Sequence, residues 1–159
     1  MDLKVGFGFD VHKLKEGADL WLGGINVPSG KGTVGHSDAD VLIHAICDAL
    51  LGAINLRDIG YHFPDTDPKY KNISSLALLQ EVCHLVSERG YQISNIDCTV
   101  SLEEPKISGY IPEMKKSLTS VSCINEGDIS IKATTTEKLG FTGRQEGIAA
   151  YCVVLIKSI

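Results

Sequence analysis

Apolar and polar positions alternate from the start of the chain. Val5, Phe7, Phe9 and Val11 are interleaved with Gly6, Gly8, Asp10 and His12. A period of two predicts a strand over about residues 3–12 and puts Asp10 and His12 on one face of it. Trp21 to Val27 reads as a hairpin, with Gly23-Gly24 as its two-residue turn. The period then lengthens. Leu42, Ala45, Ile46, Ala49, Leu50 and Ala53 form the apolar stripe of a helix that begins near Ser37-Asp38. Asp40, His44 and Asp48 fall one turn apart on a different, polar face. A loop rich in Gly, Pro and Asp follows, from about Asn55 to Asn72. A second helix runs from Ser74-Ser75 to Gly90, a C′ glycine. Ile96, Cys98, Val100 and Leu102 alternate with polar residues in a strand that Pro105 ends, and Pro112 opens a third helix at its first position. Ile129 to Ala133 is another strand. Ala149 to Ile156 is apolar throughout, which predicts a strand covered on both faces. Helices and strands mix without strict alternation. The expected class is α+β: a mixed β-sheet with helices packed on one side, plus a β-hairpin.

The 159 residues fit one domain, 1–159, large enough to bury a core. A net charge of −5 argues against a general binder of nucleic acid or anionic membrane, but leaves room for a small anion held by local cations. Five scattered cysteines with no Cys-x-x-Cys read as reduced thiols of a cytoplasmic protein. Met1-Asp2-Leu3-Lys4 runs straight into a strand without a signal-peptide core, and no apolar run approaches a membrane span.

Four segments carry chemistry. Asp10, His12 and His44 supply a carboxylate and two imidazoles, a donor set that suits zinc and leaves a fourth position open. The alternative is a capping aspartate beside two ordinary polar histidines. Asp48, a turn beyond His44, is placed to orient its imidazole or simply to be solvated. Gly35 to Asp40 leads into a helix N-terminus, where free amides with His36 and Ser37 favour an anion, or where Ser37 or Asp38 merely caps. Asp58-Ile59-Gly60 and Phe63-Pro64-Asp65-Thr66-Asp67 read either as a lid whose acids bind hydroxyls or as a surface loop. Finally, Lys132 to Arg144 gathers three successive threonines, Thr134 to Thr136, with Glu137, two lysines, Phe141 and Arg144. Hydroxyls, amides and cations of this kind hold phosphate, and a glutamate among them suits a hard cation such as Mg²⁺.

Together these segments resemble the 2-C-methyl-D-erythritol 2,4-cyclodiphosphate synthases, along essentially the whole chain. The most specific pieces are Gly8-Phe9-Asp10-Val11-His12, His36-Ser37-Asp38-Ala39-Asp40-Val41, the Asp58 and Phe63 segments, and Lys132 through Arg144. The resemblance implies a cyclising phosphorus-oxygen lyase of non-mevalonate isoprenoid biosynthesis. Its substrate is 4-diphosphocytidyl-2-C-methyl-D-erythritol 2-phosphate, whose 2-phosphate attacks its own β-phosphate and expels CMP. It further implies one Zn²⁺ per site on Asp10, His12 and His44, and Mg²⁺ or Mn²⁺ on Glu137. His36 and Thr135 would act on the transferring phosphoryl group. Asp10, Val11, His12, His36, Ser37, Asp58, Ile59, Gly60, Phe63, Pro64, Asp65, Thr66 and Asp67 would contact substrate. So would Leu102, Glu103, Glu104, Pro105, Lys106, Ile107 and Ser108, with Ala133, Thr134, Thr135, Thr136, Glu137, Phe141 and Arg144.

By the same resemblance the assembly is a homotrimer with sites between adjacent subunits. Some synthases of this type are fused to a cytidylyltransferase, for which this length leaves no room. The family often has Met-Leu after its Pro-Lys. Here Ile107-Ser108 follows, and Glu103-Glu104 is more acidic than the pattern. Two rival readings remain from the residues: a zinc-dependent phosphohydrolase of a nucleotide-linked substrate, and a non-catalytic nucleotide-binding module.

Overall fold

A computed structural model describes residues 1–159. In chain order the elements are β1 (Leu3–Glu16), β2 (Leu20–Leu22), β3 (Ile25–Val27), β4 (Lys31–Val34), α1 (Val41–Ala53), α2 (Ile59–His62), α3 (Ser75–Glu88), β5 (Tyr91–Ser101), α4 (Ile111–Ser122), β6 (Ile129–Thr134), α5 (Gly140–Gly143) and β7 (Gly147–Ser158). Five strands form one sheet in the order β4-β1-β7-β5-β6; β2 and β3 form a separate hairpin. β5 and β6 run parallel and the other pairs antiparallel, so the sheet is mixed, as expected. The hairpin turn is Gly23-Gly24, both at positive φ, the backbone a two-residue turn of right-twisted strands requires. No helix is long and apolar enough to cross a membrane.

α1 is the centre of the core. It packs on β1 and β7 on one side and on α3 on the other. Only Asp48 and Gly52 of its residues escape full burial, so the apolar stripe widens to nearly the whole circumference. Leu42, Ile43, Ile46 and Leu50 are completely buried, each contributing roughly 1.5–3 kcal/mol of apolar transfer. The contact with β1 is backbone to backbone. A Cβ on Gly6 would lie 1.8 Å from the Ala49 carbonyl oxygen, and one on Gly8 would lie 1.9 Å from that of Ala45. These two glycines let the helix sit directly on the strand that carries Asp10 and His12.

Several expectations shift. β1 extends to Glu16, because β4 pairs with its second half. β5 begins at Tyr91, not Ile96, and Pro112 is the second residue of α4. α1 begins at Val41 rather than near Ser37, and its cap is Asp40, not Ser37 or Asp38. Asp40 is not on a polar face. It is fully buried, and its carboxylate accepts from the amides of Ile43 and Gly23 at 3.0 Å and of Gly24 at 2.7 Å. Burial raises its pKa despite these bonds. The anion expected at this helix start is therefore the protein's own carboxylate, which also ties the hairpin turn to the helix.

β7 is not covered on both faces. Ile148, Ala150, Cys152, Val154 and Ile156 are buried, whereas Tyr151 and Val153 are exposed. The exposed pair continues an apolar surface from β1 formed by Val5, Phe7, Phe9 and Val11, with Phe9 and Tyr151 rings 5.0 Å apart.

Candidate metal centre and nucleotide cleft

Strand pleat and helix position bring the predicted trio together. Asp10 Oδ2 lies 3.0 Å from His12 Nε2 and 3.1 Å from His44 Nδ1, and the two ring nitrogens are 3.0 Å apart. A tetrahedral ion with bonds of about 2.0–2.1 Å spaces its ligand atoms about 3.3 Å apart. The observed triangle is close to that edge length.

The surrounding hydrogen bonds decide which ring atoms carry protons. His12 Nδ1 is 3.3 Å from the Val34 carbonyl, which only accepts, so the hydrogen is on Nδ1 and Nε2 presents a lone pair. His44 Nε2 is 3.0 Å from Ser75 Oγ. Ser75 gives its one hydroxyl proton to Asp38 Oδ1, so it can only accept from His44. His44 Nδ1 therefore also presents a lone pair. A carboxylate oxygen and two lone pairs meet with no hydrogen between them, which calls for a cation at the centre. Burial works to raise Asp10 and to lower His12, but their mutual bonding outweighs it, holding Asp10 down at about 2 and raising His12. The donor set thus fits a divalent metal, and each imidazole has the outer partner a metal ligand requires.

Asp48 does not orient His44. Its Oδ1 accepts from the Ile59 amide at 2.8 Å, fixing the start of α2 against α1, and burial raises its pKa. The orienting group is Ser75, fully buried at the start of α3 and itself held by Asp38, which also accepts from the Ser75 amide at 2.8 Å. Ser75→Ala is expected to weaken metal affinity roughly 10–100-fold, the usual cost of losing an outer partner, with little change in fold. Metal titration of the stripped variant against a chromophoric chelator checks this; wild-type affinity would contradict the relay.

A cleft of about 440 Å³ opens on the triad. It is lined by Asp10, His12, Gly35, His36, Ser37, His44, Ile59, Gly60, Phe63 and Asp65, all from segments that the sequence singled out, and also by Tyr70, Ile73 and Leu78, which it did not. Phe63 and Tyr70 stack edge to face at 5.4 Å. An aromatic residue inside a polar, Pro-bearing loop was the available signal. Val11, Asp58, Pro64, Thr66 and Asp67 do not line this cleft. Val11 points to the exposed sheet face, Asp58 caps α2 through the Tyr61 amide, and Asp67 accepts from the Lys69 amide.

The phosphate-friendly segment lies elsewhere. Leu102, Pro105, Lys106, Ile107, Ala133, Thr134 and Thr135 line a second, smaller cleft of about 100 Å³. The strand order sets β6 three strands from β1, about 14 Å across the sheet. Glu103 and Glu104, with Lys138 and Gly143, border a larger polar cleft of about 850 Å³, which Lys106 also lines and which holds no cluster of metal ligands. Arg144 is engaged by Glu146, with Nε and Nη2 donating at 3.1 and 3.0 Å. Thus one chain presents the cleft on the triad and the smaller cleft at the end of β6 as two separate openings, not one continuous site.

The chain is 62% identical over 159 residues to the 2-C-methyl-D-erythritol 2,4-cyclodiphosphate synthase of Bacteroides fragilis, covering 100% of both. It superposes with a TM-score of 0.95 and 42% identity on the bifunctional IspDF of Campylobacter jejuni, matching 99% of this chain and 43% of that one. A CDP complex of IspF from Plasmodium falciparum matches with a TM-score of 0.86 at 33% identity, over 98% of this chain and 96% of the other. The YgbB family model matches residues 3–157, and with that span and these identities the chain belongs to the YgbB family.

Proposed function

We propose that this chain converts 4-diphosphocytidyl-2-C-methyl-D-erythritol 2-phosphate to 2-C-methyl-D-erythritol 2,4-cyclodiphosphate and CMP. The observation that carries the reading is the convergence of Asp10, His12 and His44 on one point at the mouth of the His36 cleft. In the reaction a 2-phosphate oxygen forms a bond to the β-phosphorus, the bond from that phosphorus to the bridging oxygen breaks, and CMP leaves with the electron pair. The attacking oxygen is already ionised, so the protein need supply neither nucleophile nor base. What remains is positioning and charge stabilisation, which dominate phosphoryl transfer. Zn²⁺ held by Asp10, His12 and His44 would supply Lewis acidity toward the β-phosphate.

His36 and Ser37 sit beside the triad and are suited to hydrogen-bond phosphate oxygens. Ile59, Gly60, Phe63 and Asp65 form the wall for the methylerythritol hydroxyls. Lys106, Thr134 and Thr135 suit the cytidine half. Glu137, exposed on its loop, is the group placed to hold Mg²⁺ or Mn²⁺ on the diphosphate. Glu137→Gln is expected to raise the Mg²⁺ concentration for half-maximal activity without lowering zinc content. Metal analysis beside a Mg²⁺ titration checks this, and equal loss of both would contradict the two-ion scheme.

The separation of the clefts supports sites built between subunits, and the exposed Val5, Phe7, Phe9, Val11, Tyr151 and Val153 surface supports the sheet face as the trimer contact. Sedimentation is expected to give three times the 17.2 kDa chain mass, and Phe7→Asp a monomer lacking activity. An active monomer would contradict shared sites. All five cysteines are free, which suits a reducing cytoplasmic location.

Incubating the protein with the cytidylyl substrate and Mg²⁺ tests the function. CMP and a cyclic diphosphate are expected. Inorganic phosphate or an open-chain product would mean a hydrolase, and tight binding without turnover a binding module. The matched relatives are synthases, and no feature of the site favours the hydrolase.

A further inference from the structure

We propose that Glu103 is a positioning residue that holds the Glu137 loop in its working shape. The Leu102 amide donates to the Thr134 carbonyl at 3.0 Å, which carries the parallel pairing of β5 and β6 one step past the strands. Glu103 follows, and its carboxylate turns onto the loop that continues β6. A single oxygen, Oε1, accepts from the Thr136 amide at 2.9 Å and the Lys138 amide at 3.3 Å, while the Thr136 hydroxyl, 3.3 Å away, gives its one proton to the Leu139 carbonyl at 2.7 Å. Glu137 lies between the two anchored amides, and its own amide donates to Thr135 Oγ1 at 3.4 Å.

The loop needs such an anchor. Glu137 and Lys138 have φ of 54° and 64°, two successive non-glycine residues in the left-handed region. Conformations of that kind persist only where neighbours over-determine them. Glu103 is the acceptor that does so, and charge-assisted bonds to amides are stronger than neutral ones. The acidity of Glu103 thereby gains a role. The side chain is spent on the loop, not on substrate. Glu103 also ties the segment before Pro105 to the loop after β6, and residues next to these two segments, Pro105 to Ile107 on one side and Ala133 to Thr135 on the other, line the smaller cleft. Its carboxylate thus sets both the cleft's shape and the direction in which Glu137 is presented. This inference rests on the reading of Glu137 as the ligand of the diphosphate-bound cation.

The test compares wild type, Glu103→Ala and Glu103→Gln. Amide exchange at Thr136 and Lys138 reports the anchor directly; KM for the cytidylyl substrate, the half-activating Mg²⁺ concentration and zinc content report its consequence. In Glu103→Ala both amides are expected to exchange roughly tenfold faster, with KM and the Mg²⁺ requirement rising by a similar factor and zinc unchanged. Glu103→Gln keeps a carbonyl acceptor and is expected to recover most of each loss. Wild-type exchange in Glu103→Ala overturns the proposal, and so does faster exchange with unaltered KM and Mg²⁺ requirement. Glu103→Gln with wild-type amide exchange but KM and Mg²⁺ requirement as impaired as in Glu103→Ala also overturns it, because the charge itself, not the anchor, would then be what the site needs. Absence of cyclic product from wild type would fail the functional reading, while amide exchange would still decide the anchor.

Discussion

His44→Ala is expected to lose metal and turnover together while the fold persists. The remaining pair, Asp10 and His12, leaves two ligands where a zinc site needs three from the protein. The loss should exceed the roughly 10–100-fold penalty for removing an outer partner such as Ser75. It should also exceed the loss in Glu137→Gln, whose first ion is intact. Asp10→Ala is expected to behave similarly, because Asp10 Oδ2 is the atom within 3.1 Å of both imidazoles. Metal content after dialysis against a weak chelator, with circular dichroism as the fold control, reads the outcome. Normal activity in either variant would undo the assignment of the triad.

The triad was legible in the sequence because it rests on local periodicity. Asp10 and His12 are two apart on a strand whose intervening partners are apolar, and His44 belongs to a helix with a strong apolar repeat. What surrounds the triad was not legible. Ser75 reaches His44 across 31 positions of sequence, and Asp38 reaches Ser75 across 37. Only tertiary packing of α3 against the loop before α1 creates those contacts, and no spacing rule announces them. Asp40 shows a related failure. Helical spacing put it in line with His44 and Asp48, but a helix buried nearly all round has no polar face, and the residue became a cap instead. The outward face of β7 was misjudged for a different reason. An apolar run says that both faces avoid water, yet it cannot say whether the same chain or a second copy covers the outer one.

The glycines of β1 give the clearest link from fold to site. Gly8→Ala is expected to destabilise the protein by about 3 kcal/mol, at the upper end for overpacking, because the added Cβ meets backbone rather than a side chain that can swing away. It would lie 1.9 Å from the Ala45 carbonyl oxygen and 2.8 Å from the Ala49 amide nitrogen. For a chain of this size the loss lowers Tm by roughly 6–12 °C. α1 must retreat from β1 to admit the methyl group, and Ala45 is the neighbour of His44. The retreat therefore opens the gap between His44 and Asp10, and metal affinity should fall with stability although no ligand has changed. Gly52→Ala is the matched control. Gly52 lies on the same helix, and a methyl group added there would meet nothing within 4 Å. Alanine at that position should stabilise by about 0.5–1 kcal/mol through helix propensity and leave metal affinity alone. Thermal melts and metal titrations of the two variants separate the ideas. A Gly8→Ala protein with wild-type Tm and metal affinity would mean that the helix does not rest on the strand backbone as closely as the function of this site requires.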